Sequence, residues 1–228
     1  MFSKGKIIAA AALALAVNSA MAADSVDVKV IGTIVPAACT PALEGGDTID
    51  YGTIKADTLA QDDYTVLAEK NLNFSIKCDA AAKISIHGID ARADSIIRPV
   101  GKTFGSTTIT GTSKMFGLGK ADSKGIGSYL MWIEPDTVSL DGTTGADAIF
   151  TRTQPTSTAK WEKTDVKGVR PTQGYYYSWA KAGSLLPVAF KTMTGALSVQ
   201  AAINKGSELD LTKAVHLDGM STIEVYYL

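Results

Sequence analysis

The sequence predicts an all-β fold, an antiparallel sandwich closed by one disulfide, and three observations carry the all-β part. Apolar residues recur at every second position far more often than at every third or fourth. The runs are short, and Gly, Asp and Asn punctuate the gaps between them. Period two puts alternate side chains on one face of a pleated strand, and many short strands with turn residues between them build an antiparallel sandwich.

Taken in order, the first 22 residues combine Lys4 and Lys6, the apolar run Ile7 to Val17, and Ala20-Met21-Ala22. A basic start, an apolar stretch too short for a bilayer span and small residues at a cleavage point define a secretory signal. The mature chain is expected to begin at Ala23, exported through a Gram-negative periplasm or beyond. The 22 basic and 23 acidic residues give −1, and loss of Lys4 and Lys6 takes the balance to −3. That charge lacks the basic field that nucleic acid or anionic lipid requires, so neither is an expected partner.

Val26, Val28 and Val30 alternate with Asp27 and Lys29, and Gly32 and Ile34 continue that face until Pro36. The rhythm returns in Leu72-Phe74-Ile76-Cys78, in Ile84 and Ile86, in Tyr129 to Ile133, in Leu197-Val199-Ala201-Ile203, and in Ile223-Val225-Tyr227. Turns are expected at Glu44-Gly45-Gly46-Asp47, Asp122-Ser123-Lys124-Gly125, Asp141-Gly142 and Asn204-Lys205-Gly206. Thr58 to Glu69 is read as holding a turn or two of helix. Residues 151–174 are almost wholly polar, with Pro155 and Pro171 and an excess of basic residues. They predict a long exposed loop inside a single domain spanning residues 32–228, with a domain boundary as the runner-up.

In an oxidising compartment an even pair of thiols is normally bridged, so Cys39 and Cys78 predict one disulfide. A metal or redox pair is disfavoured because there is no C-x-x-C and no histidine near either cysteine.

The sequence supplies little for catalysis. His87 and His216 are its only histidines. His87 falls on the polar phase of its strand and is expected at a solvated strand end. His216 lies near Asp218, but no nucleophile motif such as G-x-S-x-G accompanies it. Glycines 117, 119, 125 and 127 invite a phosphate-loop reading, yet Ala121 stands where a hydroxyl is needed and no helix pattern follows, so a hairpin is expected. No enzyme activity, cofactor or metal is expected. Tyr175, Tyr177 and Trp179 share one strand face and read either as a platform for sugar stacking or, preferably, as a face packed into the core. Trp161, in the polar loop, is expected to be more exposed, as a receptor contact or a loop anchor.

The run Gly32-Thr33-Ile34-Val35-Pro36-Ala37-Ala38-Cys39 resembles the first strand of chaperone–usher fimbrial subunits. The second cysteine at the end of an alternating strand, and the finish Ile223-Glu224-Val225-Tyr226-Tyr227-Leu228, are also similar to that family. Phe116-Gly117-Leu118-Gly119, Ile126-Gly127-Ser128-Tyr129-Leu130 and Asp141-Gly142 look more like a fimbrial-like branch carrying a domain of unknown function than like major pilins. The resemblance implies an immunoglobulin-like sandwich lacking its last strand. A periplasmic chaperone and then a neighbouring subunit would fill its groove, with an outer-membrane usher assembling a fimbrium on the cell surface. It implies that residues 23–31, with Val26, Val28 and Val30, donate a strand, and that Ile223, Val225 and Tyr227 form the edge facing chaperone or usher. Nine residues are short for a donor. The alternative is a self-complete secreted sandwich that binds host glycan through Tyr175, Tyr177, Trp179 and Trp161.

Overall fold

Alternating runs become strands where they find neighbours. In a computed structural model that describes residues 27–33, 37–110, 115–156, 158–164, 169–171 and 174–228, eight longer strands carry the fold. They are β1 (Cys39–Glu44), β2 (Lys70–Ala82), β3 (Ile84–Asp90), β4 (Gly127–Ile133), β5 (Asp147–Thr151), β6 (Tyr176–Ala180), β7 (Phe190–Ile203) and β8 (Ser221–Tyr227). One sheet runs β1–β2–β7–β4 and ends on the short strand Phe116–Gly117. The other runs from the short strand Glu162–Lys163 through β5–β6–β3 to β8. Every recorded pairing is antiparallel. The fold is all-β, as expected.

The inner faces meet in a core built from Phe74, Ile76, Ile84, Ile86, Met131, Trp179, Phe190, Met193 and Leu197. Cys39 and Cys78 lie opposite one another in the β1–β2 ladder and form the expected disulfide, with Cα atoms 4.0 Å apart.

Both outer faces are also covered, which alternation alone does not predict. On the first sheet, Leu130, Trp132 and Ala202 pack under Phe104, Ile109 and Met115 from the β3–β4 connection. On the second, Ile149 and Ala180 pack under Trp161. A strand buried on both sides reads as a continuous apolar run, and Tyr129 to Ile133 is one.

Three expectations change. Thr58 to Glu69 holds no helix: a single 3-10 turn, Ala56–Thr58, precedes a two-residue strand, Thr65–Val66, that pairs with β7. The β5–β6 connection is less exposed than its polarity implies, because Pro155, Trp161 and Val169 are buried and Val169 N–H donates to Met131 O at 2.9 Å. The chain divides into the units Met1–Val35 and Pro36–Leu228. In the first, residues 27–33 form no strand and expose Val28 (82%) and Val30 (90%), because alternation without a pairing partner does not make a strand. Val26, Ile34 and the export signal lie outside the described residues.

The glycine cluster serves close packing. Lys120–Ala121 and Lys124–Gly125 form the expected hairpin. A Cβ on Gly127 would sit 2.4 Å from the Ala202 carbonyl oxygen and 2.9 Å from Leu118 Cδ1. Gly127→Ala is therefore expected to cost about 1–3 kcal/mol by forcing β4 and β7 apart, read as a lower guanidinium midpoint at unchanged m-value.

Candidate functional site

The two edge strands that lie on the same side of the sandwich, β1 and β8, do not complete each other. Among the described residues, β8 pairs with β3 alone, and β1 with β2 alone. Between them opens a cleft of about 620 Å3 whose walls come from both sheets. Pro41, Leu43, Ile49 and Tyr51 form one rim, and Leu217, Gly219, Met220 and Ile223 form the other. Leu72, Phe74, Met131, Leu197 and Val199 make the floor. Asp47 is the one charged residue among those lining it. Burial pushes the phenols of Tyr51 and Tyr129 up to about 12, so both stay neutral across the physiological range.

Ladder parity tells where the edge groups point. In an antiparallel pair, alternate residues turn both main-chain groups toward the partner and the rest turn them away. Met220 O accepts from Ala91 N–H, and Leu228 N–H donates to Lys83 O. With the β8–β3 register, even-numbered residues of β8 therefore face β3, and Ser221, Ile223, Val225 and Tyr227 present N–H and C=O to the open edge. Their side chains point inward: Ile223 and Val225 pack against the core, and Ser221 Oγ approaches Met131 Sδ at 3.7 Å.

The same reasoning on β1 starts from Asp79 N–H donating to Ala38 O. Cys39, Pro41 and Leu43 then face the open edge, and Thr40, Ala42 and Glu44 face β2. Pro41 has no N–H to offer. Cys39 N–H donates to the Tyr227 hydroxyl at 2.6 Å, so the phenol bridges β8 to β1 at the disulfide end.

At the rim, Arg92 binds both carboxylate oxygens of Asp218, at 2.9 and 3.1 Å, and holds that carboxyl below the usual carboxylate range. Asp218 is thus committed to Arg92, and His216 beside it is exposed.

The other sequence-selected residues lie elsewhere. Tyr177 and Trp179 are 9% and 3% exposed and face the core, and Trp179 meets Phe190 edge-on at 5.9 Å. Tyr175 stacks with Phe150 and lies under the Arg170 guanidinium, 4.5 Å from the ring centroid. Trp161 is 4% exposed. Tyr175, Tyr177 and Trp179 pack toward the core, which is the preferred of the two expected readings, whereas Trp161, on the outer face of the second sheet, is buried where a more exposed position was expected, so Tyr177, Trp179 and Trp161 offer no surface for stacking a sugar. His87 also departs from its expected solvated position. It is 6% exposed, with Nδ1 2.8 Å from Tyr175 O and its ring 5.1 Å from that of Tyr176. No cluster among the described residues has the ligands to hold a metal ion.

Residues 28–130 match the model of a family described as "Protein of unknown function (DUF1120)". The chain is 32% identical over 230 residues to the uncharacterized protein YhcF of Escherichia coli strain K12, with 92% of this chain and 93% of that protein covered. The chain belongs to the DUF1120 family. It is also 31% identical over 259 residues to protein GltF of the same strain, with 100% of both covered. No solved structure matches. The family match takes in both cysteines, β1, β2, β3 and part of β4, and so includes one wall of the cleft but not β8. The sequence signal for the cleft was the alternating finish Ile223-Val225-Tyr227; the opposite rim, Pro41 to Tyr51, carried no recognisable pattern.

Proposed function

We propose that this protein is an exported, fimbrial-like structural subunit that is completed by β-strand addition at the β8 edge, first by a periplasmic chaperone and then, at the usher, by a neighbouring subunit of a surface fibre that serves adhesion. One observation carries the reading: the cleft runs beside an open strand edge and is apolar on its floor. Open-edge N–H and C=O groups beside the exposed or half-buried rim residues Pro41, Leu43, Met220 and Ile223 are a template for strand capture and for aggregation. Strand addition answers both, with the main-chain ladder giving affinity and alternate side chains giving register; chaperone–pilin pairs are a standing example of this mode. The exposed valines Val28 and Val30, spaced by two, suit residues 23–31 to the role of donor toward a neighbour. Residues Ile223, Val225 and Tyr227 are the edge that a chaperone strand would meet.

The rival reading, a self-complete glycan-binding module, loses its main support with the burial of Tyr177, Trp179 and Trp161. Expressed alone in a periplasm, the chain is expected to aggregate or be degraded, and co-expression with its cognate chaperone is expected to yield a soluble one-to-one complex. In that complex, amide exchange at Ile223 and Val225 should be strongly slowed. A soluble monomer whose Ile223 and Val225 amides are already protected without any partner would overturn the proposal.

A further inference from the structure

Two arginines gather on one aromatic patch where β5 ends and β6 begins. Phe150 lies on the inner face of β5, and Arg152, two residues on, continues that phase just past the strand. Gly174 turns the chain back with a φ of +85°, and a Cβ there would sit 3.0 Å from Arg152 O. That close turn sets Tyr175 beside the end of β5, next to the Thr151–Tyr176 rung. The Phe150 and Tyr175 rings stack with centroids 6.1 Å apart and 9° between their planes. The Arg152 guanidinium carbon lies over both, 5.5 Å from the first centroid and 5.9 Å from the second. Arg170 covers Tyr175 from 4.5 Å. Its backbone is fixed as well: Val169 is buried and bonded to Met131 O, and Arg170 O lies 3.3 Å from where a Cβ on Gly88 would stand.

A guanidinium that lies on a ring uses its flat face there and keeps its in-plane N–H fork for an oxyanion. Among the described residues, neither fork has an acceptor or a carboxylate, and Arg170 Nε is buried without a partner. Arg92 shows the contrast, since it binds both oxygens of Asp218. Glu162 stands opposite Phe150 on the same face of the ladder, yet it pairs with neither arginine. Two like charges on one patch repel, and an anion between them relieves that repulsion. Arg152 is exposed and Arg170 half-buried, so the patch is open to water.

We infer that Arg152 and Arg170 form a binding site for a carboxylate or phosphate group, with Phe150 and Tyr175 holding the two guanidinium groups and their free N–H forks supplying charge-assisted hydrogen bonds. The site is separate from the cleft, because none of these four residues lines it. It therefore does not depend on the strand-acceptor reading. The arginines occupy the ring faces, so the ligand is recognised by charge and fork geometry and not by stacking. A sugar that carries a carboxylate is admitted where its neutral counterpart is not.

The test titrates the oxidised full chain at low salt with sodium glucuronate, with inorganic phosphate and with glucose, read by the NMR signals of the arginine Nε–H groups and of the Gly174 and Tyr175 amides. At least one anion is expected to saturate these signals with a Kd of about 1–10 mM, and glucose to leave them unmoved. Saturation by glucuronate alone identifies a carboxylate ligand, and saturation by phosphate alone a phosphate ligand. Arg152→Lys and Arg170→Lys keep the charge and the stem but lose the planar fork, and each is expected to weaken binding at least about fivefold. Arg152 is exposed, so its lysine variant keeps the test decisive even if the change at Arg170 disturbs folding. Absence of saturation by either anion up to about 50 mM would overturn the site. So would an Arg152→Lys variant that binds as tightly as the parent, or glucose shifts that match those of glucuronate.

Discussion

Loss of the Cys39–Cys78 bridge is expected to lower the unfolding free energy by roughly 4 kcal/mol, the chain-entropy value for a closed loop of this length. The cysteines are 39 positions apart in sequence. They sit directly opposite at a position where the β1–β2 ladder makes no hydrogen bond, so the covalent link supplies an attachment at a rung that otherwise has only side-chain contact. β1 has little else to hold it. Four of its six residues are exposed, and Leu43 is its main apolar contact with the core. Among the described residues, its outer side has only the Cys39 N–H to Tyr227 hydroxyl bond.

The effect should therefore be uneven. In the Cys39→Ser, Cys78→Ser double variant, amides of Thr40, Ala42 and Glu44 are expected to exchange much faster, while those in the middle of β7 follow only the global loss. Guanidinium unfolding of the oxidised and double-serine proteins measures the first quantity, and hydrogen exchange the second. A loss below about 1 kcal/mol with β1 amides still protected would mean that β1 is anchored by its ladder and core contacts, not by the bridge.

The contrast between β1 and the segment before it indicates what the sequence discloses and what it does not. Alternation located β2, β7 and β8 because each has both a paired neighbour and an apolar face to bury. The same alternation over Val26 to Ile34 gave an expected strand that residues 27–33 do not form, since the pattern states which face would be apolar and not whether a partner exists. The Asp141-Gly142 turn was legible for a stereochemical reason: both residues take positive φ, 49° and 80°, which Asp and Gly tolerate. The Asp141 carboxylate then accepts from Thr192 and Lys191 N–H groups, and those bonds hold its carboxyl below the usual range.

His87 was misplaced because its outward phase was equated with water. Its face of the β6–β3–β8 sheet is roofed by Tyr176 and Tyr226. The cleft was legible only in part, through Ile223 and its neighbours. Its other rim is set by residues about 170 positions away in sequence, and its defining property, main-chain groups that remain unpaired, has no signature in composition.

Trp161→Ala is expected to cost about 3–5 kcal/mol, an effect that an exposed loop residue would not produce. The indole rests on Ile149 and Ala180 on the outer face of the second sheet, with Ala159 and Leu228 packed beside it. Removing it opens a cavity over Ile149, which is otherwise completely buried. Its Nε1–H has no hydrogen-bond partner among the described residues. The stabilisation is therefore apolar, and Trp161→Phe, which deletes that unsatisfied donor and keeps most of the ring, is expected to cost no more than about 1.5 kcal/mol. If both variants unfold within about 0.5 kcal/mol of the parent in guanidinium, the loop does not cover this face in solution. The cluster also reaches the open edge, because Leu228 follows Tyr227 and its N–H donates to Lys83 O at 3.1 Å. Loosening Leu228 should let the end of β8 fray and release the phenol from Cys39. Trp161→Ala is thus expected to speed amide exchange at Tyr226 and Leu228 beyond the global change, whereas Trp161→Phe leaves it in step. That difference would make the polar loop a brace for the open edge strand β8.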